Sequence, residues 1–287
     1  MSAGPSAALL PDGNRLHLQH GPIDLVIGVD GKFRQQAFEA ATARFETILD
    51  ELVEELSLLR KTPASKHPAG VVARNMYQAT LPYCAKTFVT PMAAVAGAVA
   101  DEILASVCTA APVTRAYVNN GGDIAMYLGP GGAYRMAVAG LDNADLGRIN
   151  ISAGAGIGGL ATSGLGGRSL SFGIADAVTV LAATAAQADV AATLIANSVD
   201  IPGHHAISRL PACEVDPDSD LGTRLVVTHY ERLMPCEVKS ALTRGAAIAQ
   251  QMKSRGLIAG AAIFLQGYSQ FVTFPAISLV QKVKEHA

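Results

Sequence analysis

The chain has 287 residues, half of them apolar and only 16% charged, with a formal net charge of −2 and no tryptophan. That length is enough to bury a proper core, built here from Val, Ile, Leu and Ala. The weak acidity and the lack of any Lys/Arg cluster leave nothing to attract nucleic acid or an anionic membrane, so neither is expected as a partner.

In chain order, Met1–Asn14 lacks a basic start and a long apolar run, so no secretory signal is read there and residues 1–12 are expected to be flexible. "RLHLQH" and "IDLVIGV" read as strands joined through Gly21-Pro22. From Phe33 to Arg60, Phe38, Phe45, Ile48, Leu49, Leu52, Leu56 and Leu59 trace one stripe of a long amphipathic helix. Pro63 and Pro68 break the chain before helices near 71–82 and 92–108. The stretch Met92–Ala111 approaches the length of a membrane span, but Asp101 and Glu102 interrupt it, which favours a buried helix of a soluble protein.

Strands are expected at 114–119, 123–128, 134–139, 148–153 and 177–182, a helix at 185–199, a strand at 224–230, a helix at 236–255, and strands at 258–265 and 270–274. Strands come in runs and helices in blocks, which predicts an α+β fold with mainly antiparallel sheets packed by helices. No linker or composition shift divides the chain, so one domain over 1–287 is expected. Residues 200–222, rich in Pro and Asp, are the longest irregular stretch. Cys84, Cys108, Cys213 and Cys236 are isolated, which suits buried free thiols in a cytoplasmic protein. The Ala-rich apolar helices would allow a homodimer.

Three segments carry candidate chemistry. "VNNGGDI" places Asn119, Asn120, Gly121, Gly122 and Asp123 between apolar runs. It reads either as a hairpin turn or as a backbone cradle whose amides face a ligand. "GIGGLATSGLGGRSLSFGIAD" sets Thr162, Ser163 and Gly164, then Arg168, Ser169, Ser171 and Asp176, among glycines. Hydroxyls and loosened amides of this kind suit an anion or pyrophosphate, and they suit a flexible hairpin as well; the spacing matches neither a Walker loop nor a dinucleotide fingerprint. In "AAQADVAATLIANSV", Asp189, Thr193 and Asn197 recur every four residues and project from one helical face. A carboxylate in so apolar a helix needs a partner: Mg²⁺ or Ca²⁺, the cap of a neighbouring turn, or an arginine such as Arg168.

In this order and spacing, "VNNGGDI", "LATSG", "DAVTVLA" and "ADVAATLIAN" resemble the ApbE-type flavin transferases. "TPMAAVAGAVAD", "GRSLSFGIADAVTVLA" and "DPDSDLG" bring the chain closer to an uncharacterised branch related to them. The resemblance spans most of residues 75–275. It implies an ApbE-like, T-fold-like single domain. Gly121, Gly122, Asp123, Thr162, Ser163 and Gly164 would enclose FAD or a related phosphorylated ligand, flavin- or pterin-like. Asp189 and Thr193, with a backbone carbonyl from an earlier helix, would bind Mg²⁺ near the pyrophosphate.

The chain departs from the transferases where chemistry is done. Their His-Ile-Ile-Asp-Pro-like segment is replaced by "LSFGIADAV", and Thr90 and Ala96-Gly97 stand where the family carries an Asp and a Lys-Gly. Protein flavinylation is therefore not the leading expectation. Asp176, ahead of a buried strand, is the candidate base, and equally a strand-entry residue; His204-His205 are the paired imidazoles of an expected surface loop. Asp216, Asp218 and Asp220 have EF-hand-like intervals, but Val227 occupies the place of the bidentate Glu, so they read as an acidic turn. Two further readings remain: an enzyme making a folate-like one-carbon carrier of the tetrahydromethanopterin type, and a non-enzymatic cofactor carrier or assembly partner.

Overall fold

The computed structural model describes residues 4–139, 145–167 and 169–272. In chain order its elements are β1 (Ser6–Leu9), β2 (Arg15–His20), β3 (Ile23–Asp30), α1 (Arg34–Glu54), α2 (Leu56–Leu59) and α3 (Val71–Cys84). A 3₁₀ turn (Pro91–Ala94) leads into α4 (Val95–Ala110), followed by β4 (Arg115–Asn120), β5 (Asp123–Leu128), β6 (Ala133–Ala139), β7 (Asp145–Ser152), β8 (Gly159–Ser163) and β9 (Ala177–Ala182). Then come α5 (Ala185–Ser198), β10 (Ile207–Pro211), α6 (Ala212–Val215), β11 (Leu225–Tyr230), α7 (Pro235–Ser254), β12 (Gly260–Leu265) and β13 (Tyr268–Val272). The pairings β1–β2, β2–β3, β3–β4, β4–β5, β5–β8, β6–β7, β9–β12, β10–β11 and β12–β13 are all antiparallel, as the α+β reading expects.

These elements gather into two compact units. The first comprises residues 1–132, 157–161 and 182–190. Its strands follow the order β1-β2-β3-β4-β5, with Ile124 and Ala125 of β5 pairing Leu160 and Gly159 of β8. Alternating side chains of β2 and β3 bury Leu16, Leu18, Ile23, Leu25 and Ile27, and α1 covers them with Phe38, Phe45, Ile48 and Leu52. The long helix expected over 33–60 breaks at Glu55, which separates α1 from α2. Glu55 has another task there: its carboxylate accepts the amides of Ala69 and Gly70 at 2.8 and 2.7 Å, tying down the start of α3.

The segment Pro91–Ala110 is long and apolar enough to cross a membrane by length and composition. Its Ala98, Val99, Ala100, Ile103 and Val107 are fully buried within this unit. Between α1 and α4, Arg44 forks onto Glu51 and reaches Glu102 at 2.6 Å, so the second of the two charges that interrupt the apolar run of α4 is matched across the helix pair.

The second unit comprises residues 133–156, 162–181 and 191–287. All six residues of β9 and all six of β12 are buried, which is why these strands read as continuous apolar runs rather than alternating ones. The strand order here is β9-β12-β13, with β10-β11 and β6-β7 forming separate two-stranded ribbons. The irregular stretch expected at 200–222 contains β10 and α6. Their alternation is short and exposed, with Leu210 and Val215 facing outward, so it leaves no periodic signal. Of the thiols expected to be buried, Cys213 and Cys236 are exposed.

Candidate functional site

The "NNGGDI" loop is a two-residue hairpin. Asn120 pairs with Asp123 across the turn, and Gly121 and Gly122 take φ values of +64° and +111°. Both central residues need positive φ, a conformation glycine reaches without the Cβ penalty. Asn119 and Asn120 are used locally. The Asn119 side-chain oxygen accepts the Gly122 amide at 2.9 Å, so that amide is engaged inside the turn. Asn120 is buried and donates to the Ala96 carbonyl at 3.1 Å, which fastens the hairpin to the first turn of α4.

At that first turn α4 meets the first residues of α5, and the two helices cap each other. Asp101 of α4 accepts the Ala185 and Ala186 amides, both at 2.9 Å, which are the first two of α5. In return Asp189 of α5 accepts the Gly97 amide of α4 at 3.0 Å. Ala94, ahead of α4, offers no capping side chain, and Thr184, ahead of α5, caps the Gln187 amide and leaves those of Ala185 and Ala186 to Asp101. The positive ends of two helix dipoles therefore lie beside two carboxylates. Gly97 makes the approach possible: a Cβ there would stand 2.4 Å from the Ala185 carbonyl oxygen and 2.7 Å from the Ala186 nitrogen. Gly159 of β8 meets the same turn from another side, its Cβ position 2.2 Å from the Ala185 nitrogen.

The electrostatics are strained. Burial pushes the Asp101 carboxyl up to about 6, although the Ala186 and Ala185 amides and the Thr184 hydroxyl pull it down. Asp189 is raised well above the usual carboxylate range by burial, then by the negative charges of Asp123 and Asp101, against the amides of Gly97 and Ala96. Two half-buried carboxylates beside a third are a place where a proton or a cation is gained readily. Of the partners open to Asp189 on sequence grounds, the helix cap is present. Thr193 lies one turn further along α5. Asn197, next in the stripe, is committed to the fold of the second unit: its side-chain oxygen accepts the Phe172 amide at 2.9 Å and the Ser171 hydroxyl at 3.2 Å. Among the described residues no group of three or more His, Cys, Asp or Glu gathers at metal-binding distance, so any cation would take part of its shell from hydroxyls, carbonyls or ligand.

In the second unit the glycine-rich passage is a backbone-paired turn. The Leu165 amide donates to Ala175, that of Gly166 to Asp176 and that of Gly167 to Gly164, so these three amides are already used. Gly164, at φ +140°, packs within 3 Å of the Asp176 and Ala175 carbonyls and leaves no room for a side chain. The Thr162 hydroxyl shares a 2.9 Å hydrogen bond with that of buried Thr179, while Ser163 is half-buried at the end of β8. Arg168 lies outside the described residues.

Asp176 is held at both oxygens. One accepts the Tyr230 hydroxyl and the other the Gln266 amide at 2.6 Å, so it ties the entry of β9 to the end of β11 and the β12–β13 turn. Burial and the Asp176 carboxylate together push the Tyr230 phenol up, which keeps it a donor. Tyr230→Phe should cost about 1.5–3 kcal/mol in urea unfolding, the worth of one hydrogen bond to a charged acceptor. His204 is likewise structural: its Nδ1 accepts the Ala206 amide at 3.2 Å, its Nε2 faces Glu237 at 2.9 Å, and its ring stacks on His205. Sequence reasoning overlooked Asp101 as a functional group, taking it only as a sign against a membrane span. The signal was there, for a carboxylate inside an Ala-rich helix needs a partner as much as Asp189 does.

Among solved structures, the apo form of the flavinyl transferase ApbE of Pseudomonas stutzeri aligns over 95% of this chain and 94% of its own, at 11% identity and a TM-score of 0.41. The flavin transferase ApbE from Vibrio cholerae aligns over 94% and 98%, again at 11% identity and a TM-score of 0.41. A UPF0280 protein of Methanopyrus kandleri is 35% identical over 181 residues, which cover 61% of this chain and 69% of the relative. A family model described as "AbpE bacteria" matches residues 7–271, from the first strand to the last, and the chain belongs to that family.

Proposed function

We propose that this protein binds a phosphorylated small molecule of the flavin or pterin type, with Mg²⁺ held at the mutual cap of α4 and α5. The observation that carries the reading is the Asp189 carboxylate, which is half-buried, opposed by Asp123 and Asp101, and anchored through the Gly97 amide. A divalent cation relieves that repulsion and takes hard oxygen ligands, which Asp189, Asp123 and the Thr193 hydroxyl can supply. The metal would neutralise a ligand's phosphates, and the residues around it would orient them.

Protein flavinylation is left out of this proposal. Attack by an acceptor hydroxyl needs a base, and Asp176 is committed at both oxygens. Ala96-Gly97 and Thr90 offer neither the ammonium nor the carboxylate of the transferases.

The test is a thermal melt of the whole chain with FAD, with Mg²⁺, and with both. The two together should raise the melting temperature more than the sum of each alone, and Asp189→Ala should remove that surplus. Equal surplus in the variant, or none in the unmodified protein, contradicts the reading. A pterin phosphate used in place of FAD identifies which ring the site takes.

A further inference from the structure

The second unit carries a cavity of about 510 Å³ that the magnesium reading does not use, with Tyr230, Arg232, Leu233, Val238, Gln266 and Tyr268 in its wall. That wall is built around a residue in a costly conformation. Gln266 and Gly267 form the two-residue turn between Leu265 and Tyr268, with φ of +46° and +79°. Asn or Gly suits the first place of such a turn, and Gln suits it poorly. The longer side chain does what Asn could not. Its oxygen accepts the Leu233 amide at 3.0 Å and its nitrogen donates to the Glu231 carbonyl at 2.9 Å. The same residue's backbone amide is held by Asp176, which also holds Tyr230.

The segment 230–233 is thus fixed at three points, and Arg232 sits between the two clamped backbone groups. Among the described residues Arg232 forms no ion pair and no hydrogen bond. The nearby acids do not neutralise it. Glu231 also lines the cavity, but it is exposed and forms no ion pair with Arg232, and Glu237 is engaged with the Met234 amide at 2.7 Å and with His204 at 2.9 Å. Strain held by surrounding bonds at a cavity wall is a mark of a preorganised binding surface.

We propose that this cavity is a binding site for a small oxyanion on a flat apolar body, an aromatic carboxylate or phosphate monoester. The ring lies among Tyr230, Tyr268, Leu233 and Val238, and the oxyanion takes the guanidinium fork of Arg232. The volume is that of a small-molecule site. The site belongs to the second unit alone and stands whether or not Mg²⁺ binds at Asp189.

The experiment is ligand-observed NMR on the full chain with benzoate, phenyl phosphate and the neutral benzyl alcohol. One or both anions should saturate in the millimolar range, and benzyl alcohol should bind about fivefold weaker or more. Arg232→Gln should weaken the anions about tenfold and leave benzyl alcohol unchanged. Gln266→Asn should still fold, because the better turn residue offsets part of the two lost hydrogen bonds, yet weaken all three probes because the clamp on 231–233 is gone. The stronger of benzoate and phenyl phosphate identifies the anion. The proposal is overturned if no anion saturates, if Arg232→Gln leaves the preference for anions intact, or if Gln266→Asn binds as the unmodified protein does.

Discussion

Replacing Gly97 by Ala should destabilise the protein by about 3–4 kcal/mol in urea unfolding, at the upper end for a single added methyl group. The new Cβ would stand 2.4 Å from the Ala185 carbonyl oxygen and 2.5 Å from its carbon. These are backbone atoms at the start of a helix, so no rotamer change can relieve the contact. Either α4 or α5 must shift, and the same shift draws Asp189 from the Gly97 amide and Asp101 from Ala185 and Ala186. The cost is therefore packing plus lost caps. A control separates this from mere glycine flexibility: Gly122→Ala meets nothing within 4 Å and carries only the penalty of its φ of +111°, roughly 1–3 kcal/mol. Gly97→Ala costing less than Gly122→Ala would show that the helices do not lock as described.

The second large effect is on pH. The Asp101 carboxyl is raised from 3.8 to about 6 in the folded protein, so the folded state binds its proton more tightly than the unfolded chain does. Stability from this group is full below its unfolded value and falls as pH rises from about 4 to 6, then stays flat. Two pK units correspond to about 3 kcal/mol, and partial solvent screening brings the expectation to about 2 kcal/mol. Asp189 is shifted in the same direction and adds to the trend. Urea unfolding at pH 5 and pH 7.5 should thus find the metal-free protein more stable at the lower pH, an inversion of ordinary acid sensitivity. Below that window the depressed carboxyl of Glu51, held down by Arg44 and Thr47, loses its stabilisation in turn. Asp101→Asn should flatten the slope between pH 5 and 7.5, at the cost of one cap hydrogen bond. A rise in stability with pH across the same range would mean that the two carboxylates are better solvated than the structure places them.

Much of the fold was readable from the sequence wherever one face of an element is buried. β2, β3, α1 and the β4–β5 hairpin alternate or repeat with the period of their geometry, and Asn-Gly-Gly-Asp announces its turn. The elements that escaped have no such face. β1 is exposed along its whole length, though Ser6–Leu9 pair in register with Gln19–Leu16, and β8, only five residues long, is embedded in glycines. The helix break at Glu55 was also invisible, because the apolar stripe runs through it while the carboxylate is drawn to amides fourteen and fifteen residues away.

The candidate site was legible by residue type and not by arrangement. The carboxylate of Asp189 stood out as unaffordable without a partner, and a helix cap was among the partners open to it. That the capped helix is α4, and that Asp101 returns the favour, depends on contacts about ninety residues apart, which no local pattern records. Ala96-Gly97 read only as the loss of the transferases' Lys-Gly; in the fold Gly97 is where the backbone of α5 rests. The amides credited to the glycine loops tell the opposite lesson. Those of Gly122, Leu165, Gly166 and Gly167 are occupied by neighbouring oxygens, since a turn satisfies its own backbone before it serves a ligand.

Calorimetric titration of Mg²⁺ into the FAD-saturated protein at pH 5.5 and pH 7.5, in buffers of different ionisation heat, tests the cation reading most directly. The cation competes with the proton that burial and the neighbouring carboxylates favour on Asp189, so binding should be tighter at the higher pH, be accompanied by proton release, and vanish in Asp189→Asn. Affinity independent of pH, or an Asp189→Asn variant that binds Mg²⁺ as well as the unmodified chain, would contradict it.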